Sequence, residues 1–247
     1  MESAIVKPYS KAAAARKLVA LIPARDEGPT VASVVRDVRR HLNCPVVVID
    51  DGSSDDTGEE ARSAGATVLT LPFSLGAWGA AQAGIRYAAS AGYEVVVTLD
   101  ADGQHHAESI PALVHGLNLA DVVIGACPER LSWAKHLAWA YFRWLTGLDI
   151  QDFTSGLRIY NRRAIELLAE RHASLLDYQD VGVLMLLSRR GLRICERPVA
   201  MSQRQAGHSR VFSSWFAVSR YMLQTTVLCI ARIGNGNGGR RRASLAS

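Results

Sequence analysis

Short apolar runs that end on acidic residues recur through the first half of the chain, and no other feature restricts its fold as strongly. The runs KLVALIPA, PVVVID and EVVVTLD are rich in β-branched residues and have the length of a buried strand. Between the first two, apolar residues recur at Val31, Val34, Val35 and Val38, which is the spacing of a helix with one buried face. Strands that alternate with such helices are typical of an α/β protein with a parallel sheet.

The same patterns extend over the rest of the chain. Helices are predicted at residues 30–42, 57–64, 79–91, 109–117, 162–171 and 180–190, further strands at ATVLTL, DVVIGA and LRICERPVAM, and a loop at QDFTSGLR. At 247 residues, with 49% hydrophobic and 21% charged residues, the chain is long enough for one sizeable core and short for two. We therefore expect a single α/β domain with a mostly parallel central sheet and flanking helices.

The charge balance of the chain is basic. Lys and Arg number 28 against 23 Asp and Glu, which gives a net charge of +5, and much of the excess falls in residues 130–143, 189–210 and 240–242. Such clusters favour anionic partners, either phosphates or an acidic membrane surface. Nucleic acid is not an expected partner, because the sequence has no zinc-finger spacing, RNP-type motif or long basic helix.

The cysteines and the N-terminal residues indicate the compartment. The four cysteines form no CxxC pair and lie in or beside apolar segments, which predicts reduced, buried thiols: Cys44, Cys127, Cys195 and Cys229. Residues 1–17 carry five charged side chains and have no signal-peptide pattern. We expect a cytoplasmic protein in which residues 1–17 form an N-terminal extension.

Three pairs of carboxylates follow predicted strands, where ligands bind in open α/β sheets. The pairs are Asp26 with Glu27, Asp50 with Asp51, and Asp100 with Asp102. Two interpretations are open: a polar ligand-binding cleft along one rim, or carboxylates that each cap the following helix. The third pair favours the cleft, since two hard oxygen ligands can bind one Mg²⁺ or Mn²⁺ whose shell is completed by substrate phosphates and water.

An ordered set of motifs resembles family 2 glycosyltransferases of the dolichol- or polyprenyl-phosphate sugar synthase type. The motifs are LIPARDE, VVVIDDGSSDDT, LDADGQHH, DFTSGLRIYNRRA and RQAGHSR, and they span roughly residues 18–211. The resemblance implies a GT-A fold, a Rossmann-like sandwich over residues 18–210. It also implies a UDP- or GDP-sugar donor bound by residues 18–130 and inverting transfer to an acceptor bound by residues 131–210.

Carried over by position, the resemblance assigns a donor site and a metal site. The residues assigned to the nucleotide-sugar are Pro23, Ala24, Arg25, Glu27, Asp51 or Asp50 at the base or ribose, Gly79, and the turn Asp100, Ala101, Asp102 and Gln104. Asp100, Asp102 and Gln104 would bind Mg²⁺ or Mn²⁺ with the diphosphate. A metal there stabilises the charge that develops on the leaving nucleoside diphosphate. His106 is expected to cap or pack at the next helix and is left out of the metal shell.

The acceptor residues that the resemblance implies lie in the second half of the chain. Asp152 would orient or deprotonate the acceptor, Arg158 would bind its phosphate, and Asp180 is a second candidate base. Arg204 and Ser209, in a loop around a glycine, would close on phosphate. A phosphate monoester has a second pKa of ~6, so positioning and charge compensation can outweigh proton removal.

One loop departs from the family pattern. Relatives often carry Asn-Leu-Gly-x-Gly-Gly after the third strand, where this chain has SLGAWGA. Trp78 in place of glycine either narrows the donor pocket or packs the loop, and Ser74 replaces the asparagine.

Two segments suggest contact with a membrane. Residues 133–148 combine three tryptophans with Lys135 and Arg143, which favours either a bilayer interface or a buried helix of the acceptor half. Residues 211–233 are predicted to form an amphipathic interfacial helix, too short and polar to span a bilayer, and residues 234–247 a disordered basic tail.

The sequence leaves three functions to compare. The first is metal-dependent, inverting transfer of a sugar from a nucleotide-sugar to a polyprenyl or dolichyl phosphate, by a peripheral protein on the inner face of the cell membrane. The second is transfer to a soluble or polysaccharide acceptor, which needs Asp180 or Asp152 as a true base. The third is a non-catalytic nucleotide-sugar-binding module, which the intact acidic motif and DFTSGLR disfavour.

Overall fold

The computed structural model describes residues 17–127, 133–175 and 181–202, together with Leu223, Thr226 and Val227. A seven-stranded sheet forms its centre. The strands are β1 (Leu18–Ala24), β2 (Val46–Asp50), β3 (Thr67–Thr70), β4 (Val95–Thr98), β5 (Val122–Ala126), β6 (Arg158–Asn161) and β7 (Ile194–Pro198). Their order is β3-β2-β1-β4-β6-β5-β7, and every pair is parallel except those that β6 makes with β4 and β5. The predicted α/β class and mostly parallel sheet are confirmed.

Helices cover both faces of this sheet. In the described ranges they are α1 (Gly28–His41), α2 (Thr57–Ser63), α3 (Gly76–Ser90), α4 (Ile110–Gly116), α5 (Trp133–Thr146), α6 (Arg162–Ala169) and α7 (Val181–Arg189), with short 3-10 helices at Ala107–Ser109 and Arg171–Leu175. Pro29 stands in the first turn of α1, where its missing N–H has no helical partner to lose. The valines that predicted this helix are all buried.

The core lies on the two faces of the sheet because successive strand residues point to opposite sides. Ala20 and Ile22 of β1 pack with the valines of α1, while Leu21 packs with Ile85 of α3. A strand buried on both faces needs apolar residues at every position, which explains the uninterrupted runs in the sequence. A third cluster joins α5 and α7 to the end of β5, and includes Trp139, Phe142 and Phe153.

Strand β6 was not predicted. Its four residues, RIYN, follow directly from the loop DFTSGLR and have no local pattern that distinguishes them from it. They form a strand because β4 and β5 pair with them from both sides, with Thr98 opposite Arg158. Since β6 runs antiparallel to β4, it begins at the rim where β4 ends. The loop DFTSGLR and the acidic turn after β4 therefore lie side by side.

Several helix and strand limits differ from the predictions. Helix α3 begins at Gly76 rather than at residue 79, because Gly76, with a φ of 77°, turns the chain into the helix. The helix predicted at 109–117 is a 3-10 turn followed by α4, and the helix predicted at 162–171 ends at Ala169. The last predicted strand shortens to β7.

The described cysteines are reduced but less buried than predicted. Cys44, Cys127 and Cys195 are free thiols and only half-buried. Burial raises the pKa of Cys44 to about 11 and also raises the pKa of Cys195. Both thiols are therefore protonated near neutral pH and poor nucleophiles. Cys229 lies outside the described residues.

Candidate active site

The acidic turn after β4 presents its two carboxylates differently. The side chain of Asp100 is half exposed, whereas Asp102 is buried and its Oδ1 accepts a hydrogen bond from the backbone N–H of Gln104 at 3.1 Å. Gly103, with a φ of 74°, makes the tight turn possible. Ala101 is buried beneath the turn. Both carboxylates and Gln104 thus belong to one compact turn at the rim of the sheet.

Asp100 lies directly against the loop DFTSGLR. A Cβ placed on Gly156 would come within 2.3 Å of Asp100 Oδ2, so only glycine allows this approach. Thr98 holds the loop in position, because its Oγ1 donates to the carbonyl of Gly156 at 3.0 Å. The side of the rim assigned to the donor and the loop assigned to the acceptor are therefore in direct contact.

The two adjacent histidines point to different partners. The Nε2 of the buried His105 lies 3.6 Å from Asp100 Oδ2. His106 Nε2 lies 2.9 Å from Ser202 Oγ, and the carbonyl of His106 accepts from the Ser109 hydroxyl at the following 3-10 helix. His106 therefore packs at the next helix, as its neighbours in sequence led us to expect.

The donor atoms of the acidic turn fit a divalent cation that binds together with substrate. Within the described ranges, no group of three or more His, Cys, Asp or Glu side chains is close enough to bind a metal by itself. Two carboxylates and an amide oxygen supply hard ligands but leave positions for phosphate oxygens and water, as Mg²⁺ prefers. The residues present thus fit Mg²⁺ or Mn²⁺ bound with a diphosphate better than a permanent protein-only metal site.

Asp51 builds the turn that begins α3. Its buried carboxylate accepts hydrogen bonds from the backbone N–H groups of Leu75 at 2.6 Å and Gly76 at 3.0 Å, and from Ser74 Oγ at 2.8 Å. Ser74 Oγ in turn accepts from Arg25 Nη1 at 2.7 Å. The serine that stands where relatives often carry asparagine therefore links Arg25 to Asp51. These hydrogen bonds give the carboxylate of Asp51 a structural role that requires no ligand.

The loops after β1 and β2 are tied together by their acidic residues. Asp26 has a φ of 51°, uncommon for a non-glycine residue, and its Oδ1 accepts from the backbone N–H of Ser54 at 2.8 Å. The backbone N–H groups of Glu27 and Gly28 donate to Thr57 Oγ1 and Asp55 Oδ2. Asp26 and Asp55 thus bridge the two loops, and Asp55 Oδ1 also accepts from the N–H of Thr57, the first residue of α2, at 3.1 Å. Pro23 and Ala24 lie at the end of β1 beside them.

Trp78 both packs α3 and lines a pocket. Its Nε1 donates to the carbonyl of Ala173 at 2.8 Å, which fixes α3 to the 3-10 helix Arg171–Leu175. The pocket, with about 360 Å³ of empty space partly open to solvent, lies between α3 and the ends of β1, β4 and β6. Pro23, Asp100, Gly156 and Arg158 are among its lining residues. Gly79 does not line this pocket. A Cβ at position 79 would stand 2.5 Å from Leu75 Cβ, so the absence of a side chain allows Leu75 to pack there.

Several side chains of the loop DFTSGLR form hydrogen bonds within the loop. Asp152 is buried, and its Oδ1 accepts from the backbone N–H and hydroxyl of Thr154 at 3.1 and 2.9 Å. Arg158, only 3% exposed, donates from Nε to the carbonyl of Ser155 at 3.0 Å and from Nη2 to that of Phe153 at 2.7 Å. The guanidinium predicted to bind phosphate therefore also supports the backbone of the loop.

Sequence reasoning missed Glu196, on β7. Its two carboxylate oxygens accept hydrogen bonds from the backbone N–H groups of Gln151 and Asp152, at 2.7 and 2.9 Å. Burial raises the pKa of Glu196, the two hydrogen bonds oppose the rise, and the carboxylates of Asp152 and Asp149 add to it. The signal in the sequence was a single carboxylate between Arg193 and Arg197 in the predicted strand LRICERPVAM.

Three predicted site residues, Asp180, Arg204 and Ser209, lie outside the described residues, as do most of the predicted helix at 211–233 and the whole tail at 234–247. Helix α5 has a buried and an exposed side: Trp139 is buried, while Leu137 is 67% and Trp144 79% exposed. The bilayer interface stays a prediction for this helix. Leu223 and Val227 are also exposed. Tyr141 Oη lies 3.3 Å from Thr226 Oγ1, so Thr226 lies beside α5. In the part of the chain that the structure describes, no helix is long and apolar enough to cross a bilayer.

Comparison of the sequence with known proteins gives a consistent group of relatives. A family model described as Glycosyl transferase family 2 matches residues 19–169. An undecaprenyl-phosphate mannosyltransferase of Micrococcus luteus is 35% identical over 184 residues, which cover 67% of this chain and 75% of the relative. A polyprenol monophosphomannose synthase of Mycolicibacterium smegmatis is 27% identical over 220 residues, which cover 81% and 82%.

Solved structures show the same architecture. Glucosyl-3-phosphoglycerate synthase from Mycobacterium tuberculosis, in complex with phosphoglyceric acid, matches with a TM-score of 0.67 at 23% identity, covering 90% of this chain and 82% of that one. The same enzyme with Mn²⁺, uridine diphosphate and glucosyl-3-phosphoglycerate matches with a TM-score of 0.65 at 21% identity, with the same coverage. At these identities the likeness concerns the fold, and it confirms the predicted GT-A architecture.

Proposed function

Because the chain belongs to glycosyl transferase family 2, we propose that it transfers a sugar, with inversion, from a nucleotide-sugar to a polyprenyl phosphate at the cytoplasmic face of a membrane. The observation that carries the proposal is the contact between Asp100 and Gly156. It brings the turn that suits a metal-bound diphosphate against the loop that carries Asp152 and Arg158. A donor and an acceptor bound to these two elements would meet at the rim of the sheet.

On the donor side, the acidic turn would hold the diphosphate. Asp100, Asp102 and Gln104 would bind Mg²⁺ or Mn²⁺, which when bound supplies Lewis-acid stabilisation of negative charge on the leaving group. Arg25, half exposed beside Ser74, and Glu27 lie at the end of β1, where a nucleotide would enter the cleft. The chain's own contribution is a prebuilt turn that requires little rearrangement when the ligand arrives.

On the acceptor side, DFTSGLR offers a buried cation and a buried carboxylate. A phosphate monoester is already anionic near neutral pH, so a cation that compensates its charge contributes more than a strong base. Arg158 is fixed by two loop carbonyls, which orients its guanidinium before any ligand binds. Asp152 would orient the attacking phosphate oxygen, and Asp180, Arg204 and Ser209 remain further candidates for the same site.

The exposed apolar side chains of α5 support a lipid acceptor. Leu137 and Trp144 lie seven residues apart on one face of the helix, Thr226 lies next to it, and Leu223 and Val227 are exposed. An exposed tryptophan in a basic chain is typical of proteins that bind at a membrane surface. The net charge of +5 would add attraction to anionic lipids.

A direct transfer assay tests the proposal. Purified protein with Mn²⁺ is given radiolabelled GDP- or UDP-sugars, with mannose first because the two relatives named above are mannose enzymes. Parallel reactions contain polyprenyl phosphate, a soluble phosphate such as phosphoglyceric acid, or no acceptor. We expect labelled lipid only with polyprenyl phosphate and metal. Transfer to the soluble acceptor alone would support the second function, and donor binding without any transfer would support a binding module.

A further inference from the structure

We propose that Glu196 is a positioning residue that holds the loop DFTSGLR in the geometry required for transfer. This inference rests on the function proposed above, and it assigns a role to a residue of β7 that lies 44 positions from Asp152 in the sequence. The carboxylate spans two consecutive peptide groups, with Oε2 at 2.7 Å from the N–H of Gln151 and Oε1 at 2.9 Å from that of Asp152.

The chemistry of the contact calls for an ionised carboxylate. Only such a group offers two acceptor oxygens and no donor, which matches two neighbouring N–H groups. Hydrogen bonds to a charged acceptor are also stronger than neutral ones. Asp152 and Phe153 are buried, so the N–H of Asp152 would lose its partner inside the protein if Glu196 were removed, whereas Gln151 is exposed.

The contact also explains why the direction of the Asp152 side chain is fixed. Its backbone nitrogen is held by Glu196, while its Oδ1 receives the N–H and hydroxyl of Thr154. β7 pairs with β5, with the half-buried Glu196 opposite the buried Ile124. The loop is thereby anchored to the rigid sheet rather than to another loop, which is what a residue in contact with substrate needs.

The test compares Glu196→Gln with Glu166→Gln. Glu196→Gln keeps one acceptor oxygen but turns an amide donor toward the other backbone N–H. Glu166→Gln makes the same chemical change in an exposed ion pair with Arg162 on α6. Amide hydrogen exchange of Gln151 and Asp152 is measured by NMR, together with kcat for transfer to polyprenyl phosphate and Mn²⁺-dependent affinity for the free nucleoside diphosphate. Glu196→Asp, which keeps the charge on a side chain one methylene shorter, is measured in the same way if Glu196→Gln does not fold.

For Glu196→Gln we expect exchange of both amides to rise and kcat to fall, each by at least about tenfold, since a hydrogen bond to a charged group is lost. Nucleotide affinity should stay within about twofold, and Glu166→Gln should change none of the three. Unchanged exchange, or a loss of nucleotide affinity equal to the loss of kcat, would overturn the proposal. If the wild-type protein transfers nothing to polyprenyl phosphate, the proposed function fails, while the exchange rates still decide whether Glu196 holds the loop.

Discussion

At the scale of single residues, the candidate site contains buried polar groups that stabilise the fold and that the proposed reaction also requires. Asp51, Asp102 and Asp152 are all buried, and each accepts hydrogen bonds from the turn or loop in which it acts. Buried carboxylates of this kind are stable only because their partners are built into the backbone nearby. Replacements therefore have to be chosen so that they change the chemistry and leave those partners satisfied.

Asp102→Asn meets this requirement. The amide keeps an oxygen that can accept from the N–H of Gln104, so the turn and the thermal stability should persist. The loss of charge should lower transfer by at least about a hundredfold and abolish the metal-enhanced binding of nucleotide. Calorimetric titration with and without Mn²⁺ checks this, with the exposed Asp56→Asn as control. Near-normal turnover would show that the metal assignment is wrong.

Arg158→Lys tests the buried guanidinium. Lysine retains the positive charge but cannot donate to the carbonyls of Ser155 and Phe153 in the same plane. We expect a stability loss of about 1–3 kcal/mol and weaker use of the acceptor, with nucleotide affinity almost unchanged. Thermal unfolding and steady-state kinetics separate these effects, and the half-exposed Arg162→Lys is the matched control. An equal loss of donor and acceptor binding would move Arg158 to the donor side.

At the scale of elements, the order of the strands explains how the site is assembled. β4 lies between β1 and β6, so the acidic turn stands beside the loop that follows β1 on one side and DFTSGLR on the other. The antiparallel direction of β6 delivers that loop to the rim at which the parallel strands end. A parallel strand in the same position would begin at the opposite edge of the sheet.

Gly156→Ala tests the contact between these elements. The added Cβ would stand 2.3 Å from Asp100 Oδ2, so either the carboxylate or the loop must move. A misplacement of about 1 Å in an active site can lower rates by roughly a hundredfold, and Asp100 is proposed as a metal ligand. We expect transfer and Mn²⁺-dependent nucleotide binding to fall together, by at least about tenfold. If transfer and Mn²⁺-dependent nucleotide binding both persist in a folded Gly156→Ala variant, the acidic turn and the loop DFTSGLR do not contact each other in solution as they do in this structure.

Helix α5 offers a second test at this scale. Leu137→Glu with Trp144→Glu removes two exposed apolar side chains without disturbing the core, because neither is buried. Burial of such a side chain contributes about 1.5–3 kcal/mol, so partitioning onto anionic vesicles should fall by at least about tenfold. Flotation in low and high salt measures it, since salt should weaken only the electrostatic part. His136→Glu, exposed on the same helix, is the control for charge. Unchanged binding of the double variant would remove α5 from the membrane contact.

At the scale of the whole molecule, two partly buried carboxylates link stability to pH in opposite directions. Burial tends to raise the pKa of Asp121, but hydrogen bonds from Arg193 N–H and the Asn161 amide, with the charges of Arg163 and Arg193, lower it overall. Burial raises the pKa of Glu196. A lowered pKa means stability that is present above the unfolded pKa and lost as pH falls, whereas a raised pKa favours the protonated folded form.

Stability should therefore decline as pH falls through the acidic range, with Asp121 as one cause. Its carboxylate joins β6 to the residues before β7, through 2.8 Å hydrogen bonds to Asn161 Nδ2 and Arg193 N. Asp121→Asn should lower the melting temperature at neutral pH and flatten its dependence on pH below the ordinary carboxyl pKa. Calorimetry from pH 7 to about pH 3 checks the slope. A variant with the wild-type slope would show that other groups cause the acid loss.

The sequence by itself determined the α/β class, the main strands and helices, and the placement of acidic motifs at strand ends, because these depend on local periodicity and turn residues. The ordered motifs also indicated the family. Tertiary structure alone decided the strand identity of β6, the approach of Asp100 to Gly156, and the role of Glu196. Each joins residues more than thirty positions apart. Such contacts depend on strand register and direction, which the propensities of neighbouring residues do not specify.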